Sequence, residues 1–152
     1  MDGNPNDNQN QVAFTIQRVY LKDASFEAPG APQIFQQQAE SRLGLDLSTK
    51  SQKLDERTWE VSLSVTATVK LKDDKVAFIA EAEQAGIFGL EGFAGEELQR
   101  MLATLCPGIL FPYAREAIDN LVAKGSFPPL MLAPVNFDAL YARELEKKQN
   151  SR

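Results

Sequence analysis

Between Trp59 and Lys72 the chain alternates without a break. Trp59, Val61, Leu63, Val65, Ala67, Val69 and Leu71 are apolar, while Glu60, Ser62, Ser64, Thr66, Thr68, Lys70 and Lys72 are polar. In an extended strand successive side chains point to opposite faces, so this run has one face for a core and one for water. That is the pattern of an antiparallel sheet covered on a single side. Asp73 and Asp74 then supply a tight turn, and Val76 to Gln84 reads as a strand returning beside the first.

Two more strands precede this hairpin. Val12 to Lys22 alternates, with Phe14, Ile16, Arg18 and Tyr20 on one face and Ala13, Thr15, Gln17, Val19 and Leu21 on the other. Both faces carry apolar residues, so the strand is expected to meet something on each side. Ser25 to Ala39 holds Pro29, Gly30 and Pro32 and reads as a long crossing connection. Leu43, Leu45 and Leu47 mark a short second strand. The front half therefore predicts a four-stranded antiparallel sheet.

Helical spacing takes over afterwards. Gly86, Gly89, Gly92 and Gly95 recur at every third position and read as a flexible exit from the sheet. No GK[ST] follows them, so a phosphate-cradling loop is not indicated. Glu96 to Leu105 predicts a helix with Leu98, Met101, Leu102 and Leu105 inward, stopped by Pro107. A second helix is expected from Pro112, whose missing N–H suits a first turn, to Gly125 in the left-handed position past the helix end. Ala114, Ala117, Ile118, Leu121 and Val122 form its apolar stripe. Pro128, Pro129 and Pro134 interrupt the chain before a last helix from Phe137 to about Lys147, which Asn136 is placed to cap. Strands first and helices last make an α+β fold, a sheet packed against C-terminal helices. The 152 residues suit one domain spanning 12–147, with a disordered polar tail over 1–11 and a flexible tail over 148–152.

Composition narrows the function. The net charge is −5 and the pI about 4.8, which argues against nucleic acid and anionic lipid and is compatible with basic partners. Cys106 is the lone cysteine and there is no histidine, so neither a disulfide nor a Cys–His nucleophile is available, and Cys106 is expected to be buried. The first eleven residues lack the basic and apolar regions of a signal peptide, and no apolar run reaches the ~20 residues of a membrane helix. A reducing cytoplasm is the expected compartment. The carboxylate pairs Glu81 and Glu83, and Glu96 and Glu97, lack an evident pocket to shift their pKa values, and metal ligation has only carboxylates to draw on. No catalytic constellation, metal site or cofactor is indicated.

Two surfaces remain as candidates. If the first and fourth strands are neighbours, Asp23, Glu27, Glu81 and Glu83 form a negative patch around Ile79, fit to hold a basic segment. The same acids more often form a plain solvated face. An apolar groove between Leu43, Leu45 and Leu47 and the stripe Ile118, Leu121 and Val122 is the second candidate, and the same side chains more often fill a core. Both alternatives stand at this point.

Five separated runs carry a resemblance. They are Ile16-Gln17-Arg18-Val19-Tyr20, Ser25-Phe26-Glu27-Ala28-Pro29, Gly86-Ile87-Phe88, Ile109 to Glu116 (ILFPYARE) and Ala133 to Leu140 (APVNFDAL). From about Phe14 to Tyr141 the chain resembles the SecB family of bacterial protein-export chaperones. The resemblance implies a homotetramer, built as a dimer of dimers, that holds unfolded precursor proteins without ATP and passes them to the motor ATPase SecA. It implies a SecA-docking surface at Asp23, Glu27, Ile79 and Glu81, with isoleucine where leucine is usual at 79. It also implies a client groove that includes Leu43, Leu45 and Leu47 and the helix from Ile118 to Val122. Where many members place a tryptophan and, two residues on, a proline in the crossover loop, this chain has Ala39 and Ser41, which implies less aromatic contact there.

Other readings compete. A relative serving a toxin–antitoxin pair would share the fold without the export role. A small-molecule carrier using the groove would belong to another class, and the missing histidines and phosphate motif weigh against it.

Overall fold

The computed structural model describes residues 11–37 and 39–150. The tail read over 1–11 lies outside the described residues except for Gln11. Strands β1 (Ala13–Glu27), β2 (Ser41–Lys53), β3 (Thr58–Leu71) and β4 (Val76–Glu91) form one antiparallel sheet in the order β1-β4-β3-β2. Helices α1 (Gly95–Arg100), α2 (Cys106–Lys124) and α3 (Phe137–Asn150) follow.

The alternation of β3 sets the layers. All seven of its apolar positions from Trp59 to Leu71 are at most 8% exposed. They face α2, which lies across β4 and β3 and reaches β1. Leu110, Ile118 and Val122 of α2 meet Val61, Leu63 and Val65 of β3 and Phe88 and Leu90 of β4 in one core cluster. Each such fully buried side chain stabilises the fold by about 1.5–3 kcal/mol. Asp74, with a left-handed φ of 66°, closes the β3–β4 turn by donating its N–H to the Leu71 carbonyl.

Several elements differ from the sequence reading. β1 continues to Glu27 and is bulged twice, between Ile16 and Arg18 and between Leu21 and Asp23. Each extra residue inverts the alternation. Phe14 therefore sits on the inner face against Phe88, whereas Arg18 and Tyr20 lie on the outer one. β2 runs for 13 residues with unbroken register, well beyond its three leucines.

Gly86 and Gly89 belong to β4. A Cβ on Gly89 would stand 2.4 Å from Thr15 Oγ1, so close strand approach accounts for that glycine. Gly92 and Gly95, with φ of 88° and 61°, make the actual exit from the sheet.

The helical break expected at Pro107 is absent. A π-helical turn over Met101–Leu105 joins α1 to α2, with the Cys106 N–H donated to the Met101 carbonyl, and Pro107 follows as the second residue of α2. Pro112 lies inside α2, and the carbonyl it leaves without a donor belongs to the exposed Gly108. Asn136 caps α3 by accepting the Ala139 N–H at 3.0 Å. That helix continues to Asn150, past the Lys147 end expected from sequence.

Candidate functional site: the two faces of the sheet

The strand order makes β1 and β4 direct neighbours. Their register pairs Asp23 with Glu83, Ser25 with Glu81 and Glu27 with Ile79. Asp23, Glu27, Ile79 and Glu81 thus share the outer face, in three consecutive rows. Glu81 is exposed and accepts hydrogen bonds from Ser25 Oγ at 3.2 Å and Thr66 Oγ1 at 3.0 Å, which fix its carboxylate. Ile79 is half-buried between Glu27 and Thr68. An apolar side chain set among carboxylates, one of them held in place, attracts a cationic segment and gives it a dry contact.

A second polar cluster on this face had no signal in the sequence. Tyr20 donates its O–H to Glu60 Oε2, and Lys22 Nζ lies 2.9 and 3.2 Å from the two oxygens of Glu60. Partial burial, then the bond to Glu60, pushes the Tyr20 phenol up to about 12. The bonds from Tyr20 and Lys22 hold the Glu60 carboxyl below its ordinary range. The three residues come from β1 and β3, with β4 between them, so only the tertiary register brings them together.

On the inner face Leu43, Leu45 and Leu47 lie opposite Val69, Ala67 and Val65. Leu43 and Leu45 are 45% and 37% exposed, and Leu47 is half-buried. α2 leaves β2 uncovered because it lies over the other strands. The three leucines therefore make an apolar track about 13 Å long. At one end Leu47 opens into a groove of about 620 Å³ walled by Ala103 of the π turn and by Phe137, Leu140 and Leu145 of α3.

Beyond Val69 the opposite end meets Phe78. The Phe127 ring lies 4.7 Å from Phe78, 6.3 Å from Phe26 and 5.3 Å from Phe35, and Phe35 is 52% exposed. Sequence reading missed this aromatic cluster, since its members sit on four separate segments.

The expected partners of the leucine track need correction. Ile118 and Val122 have no exposed surface and belong to the core, and Leu121 is half-buried. Their stripe faces β3 and β4, so the wall beside Leu47 comes from α3. Ala39 and Ser41 are exposed at the start of β2. Cys106 is fully buried, and that burial pushes its thiol up to about 12. Among the described residues no group of three or more His, Cys, Asp or Glu is placed to hold a metal. No helix among them is long and apolar enough to cross a membrane.

Comparison with known proteins agrees with this arrangement. The family described as preprotein translocase subunit SecB matches residues 7–148. The protein-export protein SecB of Marinobacter nauticus is 54% identical over 144 residues, covering 95% of this chain and 87% of that one. Its counterpart in Legionella pneumophila is 51% identical over 148 residues, covering 97% and 91%. Among solved structures, a SecB-like chaperone from Mycobacterium tuberculosis, in complex with a peptide from the HigA1 antitoxin, superposes with a TM-score of 0.63. It is 25% identical, with 81% of this chain and 91% of that one covered. The chain belongs to the SecB family of protein-export proteins.

Proposed function

We propose that this chain is an ATP-independent holdase of the cytoplasm, working as a homotetramer that captures unfolded precursor proteins and hands them to SecA. The observation that carries the reading is the division of labour between the two faces of one sheet. An apolar track with an aromatic cluster at one end and a groove at the other lies inside, and an acidic patch around Ile79 lies outside. Clients take the inner face through Leu43, Leu45 and Leu47. Leu121 borders it, and Ile118 and Val122 support it from the core. SecA takes the outer face through Asp23, Glu27, Ile79 and Glu81.

The contacts are individually weak. A client leucine or aromatic side chain entering one subsite gains about 1.5–3 kcal/mol, which hardly offsets the cost of ordering a chain. Repeated around a tetramer, the same contact is strengthened about 10²–10⁴-fold through effective concentration. Folded proteins hide their apolar segments, so unfolded chains are selected without any sequence code. Release follows from SecA binding, with no nucleotide hydrolysis by this protein.

The test is light scattering of an unfolded secretory precursor diluted into buffer with this protein and no nucleotide. Suppressed aggregation at about one tetramer per client is expected, and undiminished aggregation from a folded tetramer would reject the holdase. The antitoxin-bound neighbour favours one other reading, a toxin–antitoxin chaperone. The near relatives named as export proteins weigh against it, and SecA binding separates the two.

A further inference from the structure

Lys22 is a cation set beside an acidic patch. It occupies the second bulge of β1, next to Asp23, and Asp23 pairs with Glu83. A lysine on a flexible four-carbon stem at such a position would ordinarily pair with the nearest carboxylates. Here its ammonium is bound to both oxygens of Glu60, at 2.9 and 3.2 Å. Glu60 lies opposite Ile87, four residues along β4 from Glu83, which is about 13 Å of strand.

Glu60 wins this competition for physical reasons. Its side chain is only 15% exposed, and the Tyr20 hydroxyl fixes one of its oxygens. A fixed, partly desolvated carboxylate binds a cation better than a freely solvated one. The hydrogen bond to Glu60 holds the Lys22 amine above its ordinary range, and the charge of Glu83 acts on it less strongly.

We propose that Glu60 is a positioning residue for docking at the acidic patch: it sequesters Lys22, so that Asp23 and Glu83 stay available to a cationic partner. The inference rests on the reading of Asp23, Glu27, Ile79 and Glu81 as the docking surface. Specificity at this surface then depends on a residue outside the patch, placed two strands away from β1.

Four variants test the idea: Glu60→Gln, Glu60→Gln with Lys22→Met, Glu91→Gln and Glu81→Lys. Glu91→Gln removes the same unit of charge at the far end of β4, where Glu91 pairs with Arg57 at 3.3 Å. Affinity for purified SecA should fall up to about fivefold in Glu60→Gln, return in the double variant and hold in Glu91→Gln. The carbon resonance of the Glu83 carboxylate, recorded at pH 7 without any partner, should move in Glu60→Gln and return in the double variant. A stationary resonance, or an equal loss of affinity in Glu91→Gln, overturns the inference. If Glu81→Lys binds SecA as well as the wild type does, the docking reading fails instead, and the Glu83 resonance still decides where Lys22 goes.

Discussion

Gly125 lies against the ring of Phe26 so closely that a Cβ there would stand 2.3 Å from Phe26 Cζ. The residue at this helix end is glycine for want of space: its φ is −82°, and the left-handed residue after α2 is Ser126, at 66°. The contact ties the last strand turn of β1 to the end of α2, beneath Phe127 and Phe78.

Gly125→Ala should therefore cost about 1–3 kcal/mol, the range for overpacking, and lower the melting temperature by several degrees. Phe26→Leu in the same chain should recover part of the loss, because the two positions share one contact. Additive melting shifts across the four proteins would show that the clash is relieved elsewhere.

Leu45 and Ile118 were both expected in one groove, and their surroundings now separate them. Leu45→Asp changes an exposed position, so it should leave the melting temperature nearly unchanged and weaken client capture about tenfold. Ile118→Ala removes buried methylene and methyl groups from the core and should cost about 2–5 kcal/mol of stability. Capture at wild-type affinity by a folded Leu45→Asp variant would place the client track elsewhere.

Glu81→Lys reverses a charge at the centre of the acid rows while leaving the inner face untouched. SecA affinity should drop roughly tenfold or more, and suppression of client aggregation should persist. Titration calorimetry for SecA beside light scattering for the client checks both halves. Equal loss of both would mean damage to the fold or a misplaced patch.

What was legible in the sequence follows from which features have a local period. Trp59 to Leu71 repeats every two residues, and its burial came out as the alternation demands. The stripe from Ala114 to Val122 was equally plain as an apolar face. Which strands lay under it depends on the sheet order, and no periodicity encodes that. The bulges in β1 each add one residue without changing composition, so Phe14 and Tyr20 looked like one face and are on two. Pro107 looked like a stop because the π turn before it is invisible in hydropathy. Asp23, Glu27, Ile79 and Glu81 were grouped on the condition that β1 and β4 are neighbours, and again by resemblance, and the β1–β4 register meets that condition. Tyr20, Lys22 and Glu60 share no spacing at all.

Alkaline pH should weaken this fold through two groups. Burial raises the Cys106 thiol from an ordinary 9.0 to about 12, and partial burial with the Glu60 bond raises the Tyr20 phenol from 10.0 to about 12. Both folded values lie above the unfolded ones, so between about pH 9 and pH 12 the native state binds more protons than the unfolded chain. Stability is then fully present below pH 9 and falls as pH rises through that window. Urea midpoints measured from pH 8 to pH 11 should decline, and Cys106→Ala should decline less steeply than the wild type. Because the thiolate is the reactive form, iodoacetamide at pH 8 should label Cys106 only in denaturant. Rapid labelling of the folded protein, or urea midpoints that stay level to pH 11, would contradict a thiol held protonated in the core.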